Sequence, residues 1–405
     1  MTTQTVESAK AHVPPAVAAA RPAGQARFLY LDNLRMAVIT LVVVMHVAIT
    51  YGSAGNWYYY EAGETNTLAF VIMALLGGIG TAFTMGMLFL IAGYFTPRAY
   101  DRKGAGRFLV DRLKRLGLPL LFYGVVILPV INYLLDLHEG FQGSPGQWLV
   151  DYFRGVQSLA DGPVWFLLEL LIFCIFYALW RLIADRVTKN ALLNRSGEIN
   201  PPGNWAIAAF ALAIGVVTFV VRIWALFGVY FEPWHLEPAH APQYIAMFVV
   251  GALAYRGNWL VRFTEAQVRP WRWIALIFIL LMPALVVAAG ALSGQLDPQG
   301  AGGLNWLSLA YSLWEGFMCV SMVIVVLAWF RKRFNHQGRL AKLMSDNCFA
   351  VYVLHPIIIV PLALALSGVA LNLSLKFVLV APVAVTLCYL VAALIRKIPF
   401  VRSIL

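Results

Sequence analysis

Long apolar runs alternate with short polar segments from residue 31 to the end of the chain. A transmembrane helix needs about 20 consecutive apolar residues, and most of these runs approach or exceed that length. They are continuously apolar, whereas the strands of a membrane β-barrel alternate between apolar and polar positions. The pattern predicts an all-α polytopic integral membrane protein with about ten transmembrane helices. Judged by apolar length, the predicted spans are 31–50, 68–95, 117–136, 163–184, 205–227, 243–256, 271–292, 304–330, 347–368 and 374–396.

Composition supports this class and excludes others. Hydrophobic residues make up 61% of the chain and charged residues only 12%, about half the charged fraction of a soluble domain. The net charge of +11 does not indicate a nucleic-acid partner, because the basic residues lie in short loops, where they set membrane orientation. The cysteines are far apart within apolar runs, so we expect neither a metal site nor a disulfide framework. They are Cys174, Cys319, Cys348 and Cys388.

Loop charges predict the orientation. The second, fourth, sixth and eighth predicted loops are rich in Arg and Lys, and the odd-numbered loops up to the seventh are poor in them. Cytoplasmic loops carry the basic excess, so both termini are predicted to be cytoplasmic. Residues 1–26 are rich in Ala and Pro and lack an apolar core. They predict a disordered cytoplasmic tail rather than a signal peptide, followed by a transmembrane domain over 27–405.

Ionisable side chains inside the spans are the first functional candidates, because they are costly in a bilayer. They are Arg35, His46, Glu169, Arg222, Glu315 and His355. At about 1.5 Å per residue, His46, Glu169 and Arg222 form an outer layer, with Trp165 beside it. When depth is counted from the start of the predicted span at residue 347, Tyr352 and His355 lie in the inner half of the membrane.

Each candidate also has a structural interpretation. Arg35 could extend to the cytoplasmic interface, and His46 could be a neutral core histidine. Glu169 and Arg222 could form a purely structural ion pair. His355 precedes Pro356, so it could satisfy backbone groups that the proline frees.

Arg112 and Arg115 stand three residues apart in "RFLVDRLKRLGLP". Membrane topology alone explains most of the positive charge in this segment. The same spacing also suits an anion clamp at a membrane surface.

Several segments resemble the integral-membrane acyltransferase-3 family. Arg35 and His46 reproduce its R-x10-H motif, and "RFLVDRLKRLGLP" resembles its R-x-x-R segment. "LFLIAGYF", "GPVWFLLELL" and "NCFAVYVLHPII" resemble three further family segments, although Ala92 stands where serine is common. The resemblance runs from about residue 28 to the end of the chain. The stand-alone form is most similar to the glucan biosynthesis protein C branch, which is associated with succinyl transfer onto periplasmic glucans.

The resemblance implies an O-acyltransferase of the bacterial inner membrane. Such an enzyme moves an acyl group, acetyl or succinyl, from cytoplasmic acyl-CoA to a hydroxyl of an extracytoplasmic glycan or related acceptor. The implied partners are acyl-CoA, the acceptor and the lipid bilayer, with a homo-oligomer left open, and no cofactor is expected to be permanently bound. A multi-span transporter or exporter is the alternative that buried ionisable residues also suit.

The R-x10-H spacing has a physical interpretation. Eleven residues are close to three helical turns, so Arg35 and His46 share one face, offset by about 20° and separated by about 16.5 Å along the axis. We expect CoA phosphates to bind Arg35, Arg112 and Arg115, and the thioester to reach His46 through a channel along the first span.

His46 is the candidate general base, with an acyl-histidine intermediate as the alternative. Glu169 is the candidate residue that orients it, and Arg222 or a backbone amide is the candidate oxyanion donor. Further substrate or oxyanion contacts are expected from Trp165, Tyr352, His355 and Glu315.

Overall fold

The computed structural model describes residues 28–63, 67–155, 162–188, 199–232, 234–288 and 302–405. These residues are mostly α-helical, and their only β-type pairing is an isolated bridge between Phe231 and Leu236. The all-α, membrane-spanning prediction is confirmed. The predicted disordered tail over 1–26 lies outside the described residues. So do Glu64, Asp161 and Asp297, three of the acidic residues in the odd-numbered loops.

The described residues form fourteen α-helices in chain order. They are α1 (Leu29–Thr50), α2 (Thr67–Arg112), α3 (Leu118–Phe122), α4 (Leu128–His138), α5 (Pro145–Gly155), α6 (Trp165–Thr188), α7 (Asn204–Arg222), α8 (Ala241–Gly257), α9 (Trp259–Arg262), α10 (Glu265–Ala288), α11 (Trp306–Arg333), α12 (Arg339–Leu366), α13 (Leu373–Ile395) and α14 (Pro399–Ile404).

Eight stretches of the described residues are long and apolar enough to cross a membrane. One of them, Val71–His138, has 68 residues, about 100 Å of helix and far more than one crossing needs. It bends at Gly104, whose φ of 72° interrupts the helix. Helix α8 is apolar but has only 17 residues. The prediction of ten crossings stays a prediction.

The predicted second loop, between residues 95 and 117, is mostly helical. Two helical segments meet within it at the break at Gly104, and a five-residue π-helical turn, Leu113–Gly117, leads from Arg112 into α3. A second π turn, Tyr123–Ile127, precedes α4. Each π turn ends two residues before a proline, Pro119 or Pro129. A proline cannot donate to the carbonyl four residues earlier, and a π turn is one way to accommodate that loss.

The helix ends gather into two groups, which we call the basic end and the opposite end. At the basic end, Asp101 pairs with both Arg181 and Arg256 at 2.8 Å. At the opposite end, Glu61 forms a buried ion pair with Lys376. The predicted basic loops therefore lie together in the structure. Which end faces the cytoplasm stays a prediction.

Two glycines allow α2 and α8 to pack closely. A Cβ at Gly93 would lie 2.1 Å from the carbonyl oxygen of Phe248, and a Cβ at Gly251 would lie 2.1 Å from that of Leu90. Real Cβ contacts do not occur at such distances, so larger residues would push the two helices apart.

We predict that Gly93→Ala lowers the free energy of unfolding in detergent by about 1–3 kcal/mol, because overpacking forces backbone shifts. Gly106→Ala is the matched control, since no atom lies within 4 Å of its added Cβ. The control should be neutral or slightly stabilising. Equal melting temperatures for Gly93→Ala and the parent would show that the α2–α8 contact is not as close as described.

Candidate active site

His46 and His355 form a hydrogen-bonded pair between α1 and α12. His46 Nδ1 lies 3.1 Å from His355 Nε2, and the rings are nearly parallel, with centroids 4.9 Å apart. His355 is fully buried, whereas His46 is half-buried. His46 is therefore the ring that a substrate can reach, and His355 supports it from behind.

The backbone fixes which nitrogens carry protons. His355 Nδ1 lies 2.7 Å from the carbonyl oxygen of Tyr352. A carbonyl only accepts, so His355 Nδ1 is the donor. In the neutral ring, Nε2 is then an acceptor, and His46 Nδ1–H donates to it. The His46 ring also hydrogen-bonds to the backbone of Val42, one helical turn earlier in α1. Nδ1 is the ring nitrogen nearer the backbone, so this carbonyl is a second acceptor for Nδ1–H. His46 Nε2 thus keeps a lone pair, as a general base requires.

The prediction that Tyr352 and His355 lie in the inner half of the membrane is wrong. Helix α12 begins at Arg339, eight residues before the apolar run that marks the predicted span. Sixteen residues from Arg339 to His355 correspond to about 24 Å of helix, which brings His355 to the depth of His46. Asn347 and Ser345 belong to this polar first part of the helix and are buried within the protein.

The turn after α1 folds back onto His46. Gly52 N–H donates to the carbonyl of Ile49 and Ser53 N–H to that of Ala48, and Gly52 has a φ of 113°. This pattern is a Schellman motif, which reverses the chain at a helix end. As a result Trp57 stacks on His46 with ring centroids 4.1 Å apart and 23° between the planes.

Tyr352 and Trp165 have different surroundings. The Tyr352 hydroxyl donates to the carbonyl of Pro163, which ties α12 to the start of α6, and the Tyr352 ring lies beside that of His355. Trp165 is half-buried and stacks on Tyr244 at 5.4 Å, and the Tyr244 ring also stacks on that of His240. The structure therefore places Tyr352 beside the histidine pair, whereas Trp165 contacts a neighbour of His240.

Arg222 and Glu315 lie in a separate buried cluster. Arg222 donates to Glu315 at 2.6 Å, and His240 Nδ1 lies 2.8 Å from the other carboxylate oxygen. All three side chains are at most 3% exposed. The ion pair considered between Glu169 and Arg222 is therefore wrong, since the carboxylate on Arg222 is that of Glu315.

Glu169 is buried, at 8% exposure, and no hydrogen bond or ion pair joins it to His46 within the described part of the chain. Its electrostatic neighbours are Glu237 and Tyr244. The residue that contacts His46 is His355. The structure thus brings His46 and His355 together and places Glu169 nearer to the second cluster.

The three predicted phosphate ligands lie toward the basic end, and each contacts a different side chain. Arg35 pairs with Asp32 at 2.9 Å, Arg115 with Asp111 at 3.5 Å, and Arg112 stacks over the ring of Phe108 at 5.1 Å. The Nε atoms of Arg35 and Arg112 are buried without a hydrogen-bond partner in the described residues. Both arginines therefore retain a donor for an anion.

The face of α1 between Arg35 and His46 is closed. Ile39 and Val42 occupy it and are 4% and 2% exposed. The predicted channel along α1 is not open in this structure. A ligand arm that follows this face has to displace these two side chains.

Three residues of these clusters were missed by sequence reasoning. His240 directly precedes α8 and gives no sequence signal beyond its residue type. Lys376 is an ionisable residue three positions into the last apolar run, and that position was a signal for a buried ion pair. Trp57 lies in the aromatic segment "NWYYYE", but its contact with His46 depends on the turn at Gly52.

We predict that Arg222→Met alone destabilises the protein by about 3–5 kcal/mol, because it leaves a buried carboxylate without its cation. Arg222→Met combined with Glu315→Leu should cost less than the sum of the two single changes. Thermal unfolding in detergent of all four proteins gives the coupling. Additive losses would show that the two side chains are not paired.

Comparison with known proteins completes this picture. The model of the acyltransferase domain family matches residues 28–393. Glucans biosynthesis protein C of Escherichia coli strain SMS-3-5 / SECEC is 24% identical over 345 residues, which cover 83% of each chain. The protein of the same name from strain K12 is 23% identical over 345 residues, with the same coverage. No solved structure matches. Because the family match spans nearly the whole chain, the chain belongs to this acyltransferase family and is a multi-pass membrane acyltransferase.

Proposed function

We propose that the protein transfers an acyl group, acetyl or succinyl, from cytoplasmic acyl-CoA to a hydroxyl of an extracytoplasmic glycan, in a bacterial inner membrane. The observation that carries this proposal is the half-buried His46, whose Nδ1 is held by His355, so that Nε2 carries the lone pair of the neutral ring. The glycan acceptor is supported by the name of the relatives, glucans biosynthesis protein C. The O-acyl product follows from the acceptor, since sugars offer hydroxyls.

His46 acts as the general base. Its Nε2 takes the proton of the acceptor hydroxyl while the hydroxyl oxygen attacks the thioester carbonyl. His355 holds the imidazole in the tautomer that leaves Nε2 unprotonated, the role that a carboxylate plays in a catalytic triad. His355 has its own anchor in the Tyr352 carbonyl. This assignment replaces Glu169 as the residue that orients His46.

The CoA phosphates bind at the basic end. Arg35 is partly accessible there, with 38% of its side chain exposed, and Arg112 keeps an unpaired Nε. Phosphate accepts charge-assisted hydrogen bonds from arginine, which are stronger than neutral ones. The distance of about 16.5 Å along α1 between Arg35 and His46 is comparable to the extended pantetheine arm of CoA.

The test is transfer by the purified protein in proteoliposomes. Acyl-CoA with a labelled acyl group is supplied on one side and a glucan on the other, and the labelled glucan and free thiol are measured. Equal amounts of ester and thiol support the proposal. Movement of intact solute without thiol release would instead identify a transporter. Protein labelled by acyl-CoA without acceptor would indicate an acyl-histidine route through the same Nε2.

We predict that His46→Ala lowers kcat for transfer by about 10²–10⁴-fold, the usual contribution of a general base. His355→Leu should also lower kcat, and His355→Gln should recover part of the loss, because the glutamine amide oxygen accepts from His46 Nδ1–H. His336→Ala, which changes an exposed histidine at the basic end, is the control and should match the parent. Full activity of the His46→Ala variant would contradict the proposal that His46 is the general base.

We predict that Arg35→Ala and Arg112→Ala each raise the KM for acyl-CoA by about 10–100-fold, because each loses a charge-assisted contact worth about 1.5–3 kcal/mol. Arg115 is more exposed, at 58%, so Arg115→Ala should have a smaller effect. The exposed Arg402 of α14 provides the matched control, Arg402→Ala. An unchanged KM in all three variants would contradict the phosphate clamp.

A further inference from the structure

The indole N–H of Trp57 is a buried donor beside His46 that has no hydrogen-bond partner among the described residues. Trp57 is 7% exposed, and its Nε1 forms no hydrogen bond with the described residues. A buried donor without an acceptor costs about 1–3 kcal/mol, and nearly all such groups in proteins are paired. An indole nitrogen can only donate, so the position calls for an acceptor atom supplied by a ligand.

The ring lies where the reacting atoms of an acyl transfer would be. Trp57 stacks on His46 at 4.1 Å and lies nearly parallel to His355, with 11° between the planes and 5.8 Å between the centroids. A hydroxyl that donates to His46 Nε2 sits about 2.8 Å from that atom. The carbonyl that it attacks is then within a few ångströms of both the imidazole and the indole.

The loop holds the indole rigidly. The Trp57 backbone N–H donates to the Tyr60 hydroxyl at 2.6 Å, and that hydroxyl donates to the carbonyl of Gly55 at 3.1 Å. Glu61 is fixed by its ion pair with Lys376, and its N–H donates to the carbonyl of Thr50. A donor held in this way needs no reorganisation when charge develops on a nearby oxygen, which is the requirement for oxyanion stabilisation.

We propose that Trp57 Nε1–H donates a hydrogen bond to the carbonyl oxygen of the acyl group and stabilises the oxyanion that forms on it. This inference rests on the proposed function. The acceptor oxygen forms a bond to the carbonyl carbon, its proton goes to His46 Nε2, and the carbonyl π pair moves onto the oxygen facing Trp57. When the carbonyl re-forms, the carbon–sulfur bond breaks and the thiolate takes the proton from His46. The products are an ester and a free thiol.

The test compares Trp57→Phe with the parent in the proteoliposome assay, using acetyl-CoA and succinyl-CoA as donors and a glucan as acceptor. Phenylalanine keeps a ring against His46 but has no N–H. Loss of one oxyanion donor typically lowers kcat about 10²–10³-fold, so we expect that decrease with an unchanged KM for the acyl-CoA. Replacement of residue 57 by benzothienylalanine, whose sulfur stands in place of the ring N–H, should give the same decrease with the indole shape preserved.

Trp148→Phe is the matched control. Trp148 is similarly buried, at 9% exposure, but its Nε1 already donates to Asp136 at 2.5 Å, so its loss should change kcat less than threefold. Less than a threefold decrease in both residue-57 variants would overturn the donor role. So would a raised KM with unchanged kcat, which would indicate binding of the ground state only. A parent protein without any transfer would overturn the proposed function itself, and this inference with it.

Discussion

The hydrogen bond between His46 and His355 depends on the depth of α1 relative to α12. A slip of one residue in either helix would shift its ring by about 1.5 Å along the axis and turn it by about 100°, which no side-chain rotation recovers. The basic end secures the same register, since the Asn33 amide donates to the backbone oxygens of Phe334 and His336, just before α12. Contacts near both ends of α1 therefore fix its position along α12. This axial register brings His46 and His355 together.

The bilayer imposes a second constraint, because polar groups inside it must find partners within the protein. Several of them do. Arg222, Glu315 and His240 pair with one another, and Glu61 is paired with Lys376. The groups that lack such partners among the described residues include Trp57 Nε1 and the Nε atoms of Arg35 and Arg112. Trp57 belongs to the rings stacked around His46, which is where binding of substrate would satisfy its N–H.

Sequence reasoning located the apolar spans and the shared face of Arg35 and His46, because apolar length and helical period are local properties. It did not locate the partner of His46. That partner depended on the start of α12 at Arg339, and buried polar residues in the first part of this helix hid its true length. The pairing of Arg222 with Glu315 instead of Glu169 is a property of helix packing, which one sequence does not encode locally. The contact of Trp57 required the turn at Gly52.

The face of α1 between Arg35 and His46 is closed. Water can therefore reach the Arg35 end of this face but cannot follow the face to His46. Ile39 and Val42 fill that face, so water at the basic end has no open path along it to His46. A thioester is hydrolysed when water reaches an activated carbonyl, and exclusion of water is one way that enzymes prevent this side reaction. In the proposed function, the flexible arm of bound acyl-CoA displaces these two aliphatic side chains, while its charged head stays at the arginines. The same two residues that oppose entry of the arm therefore favour transfer over hydrolysis once it is in place.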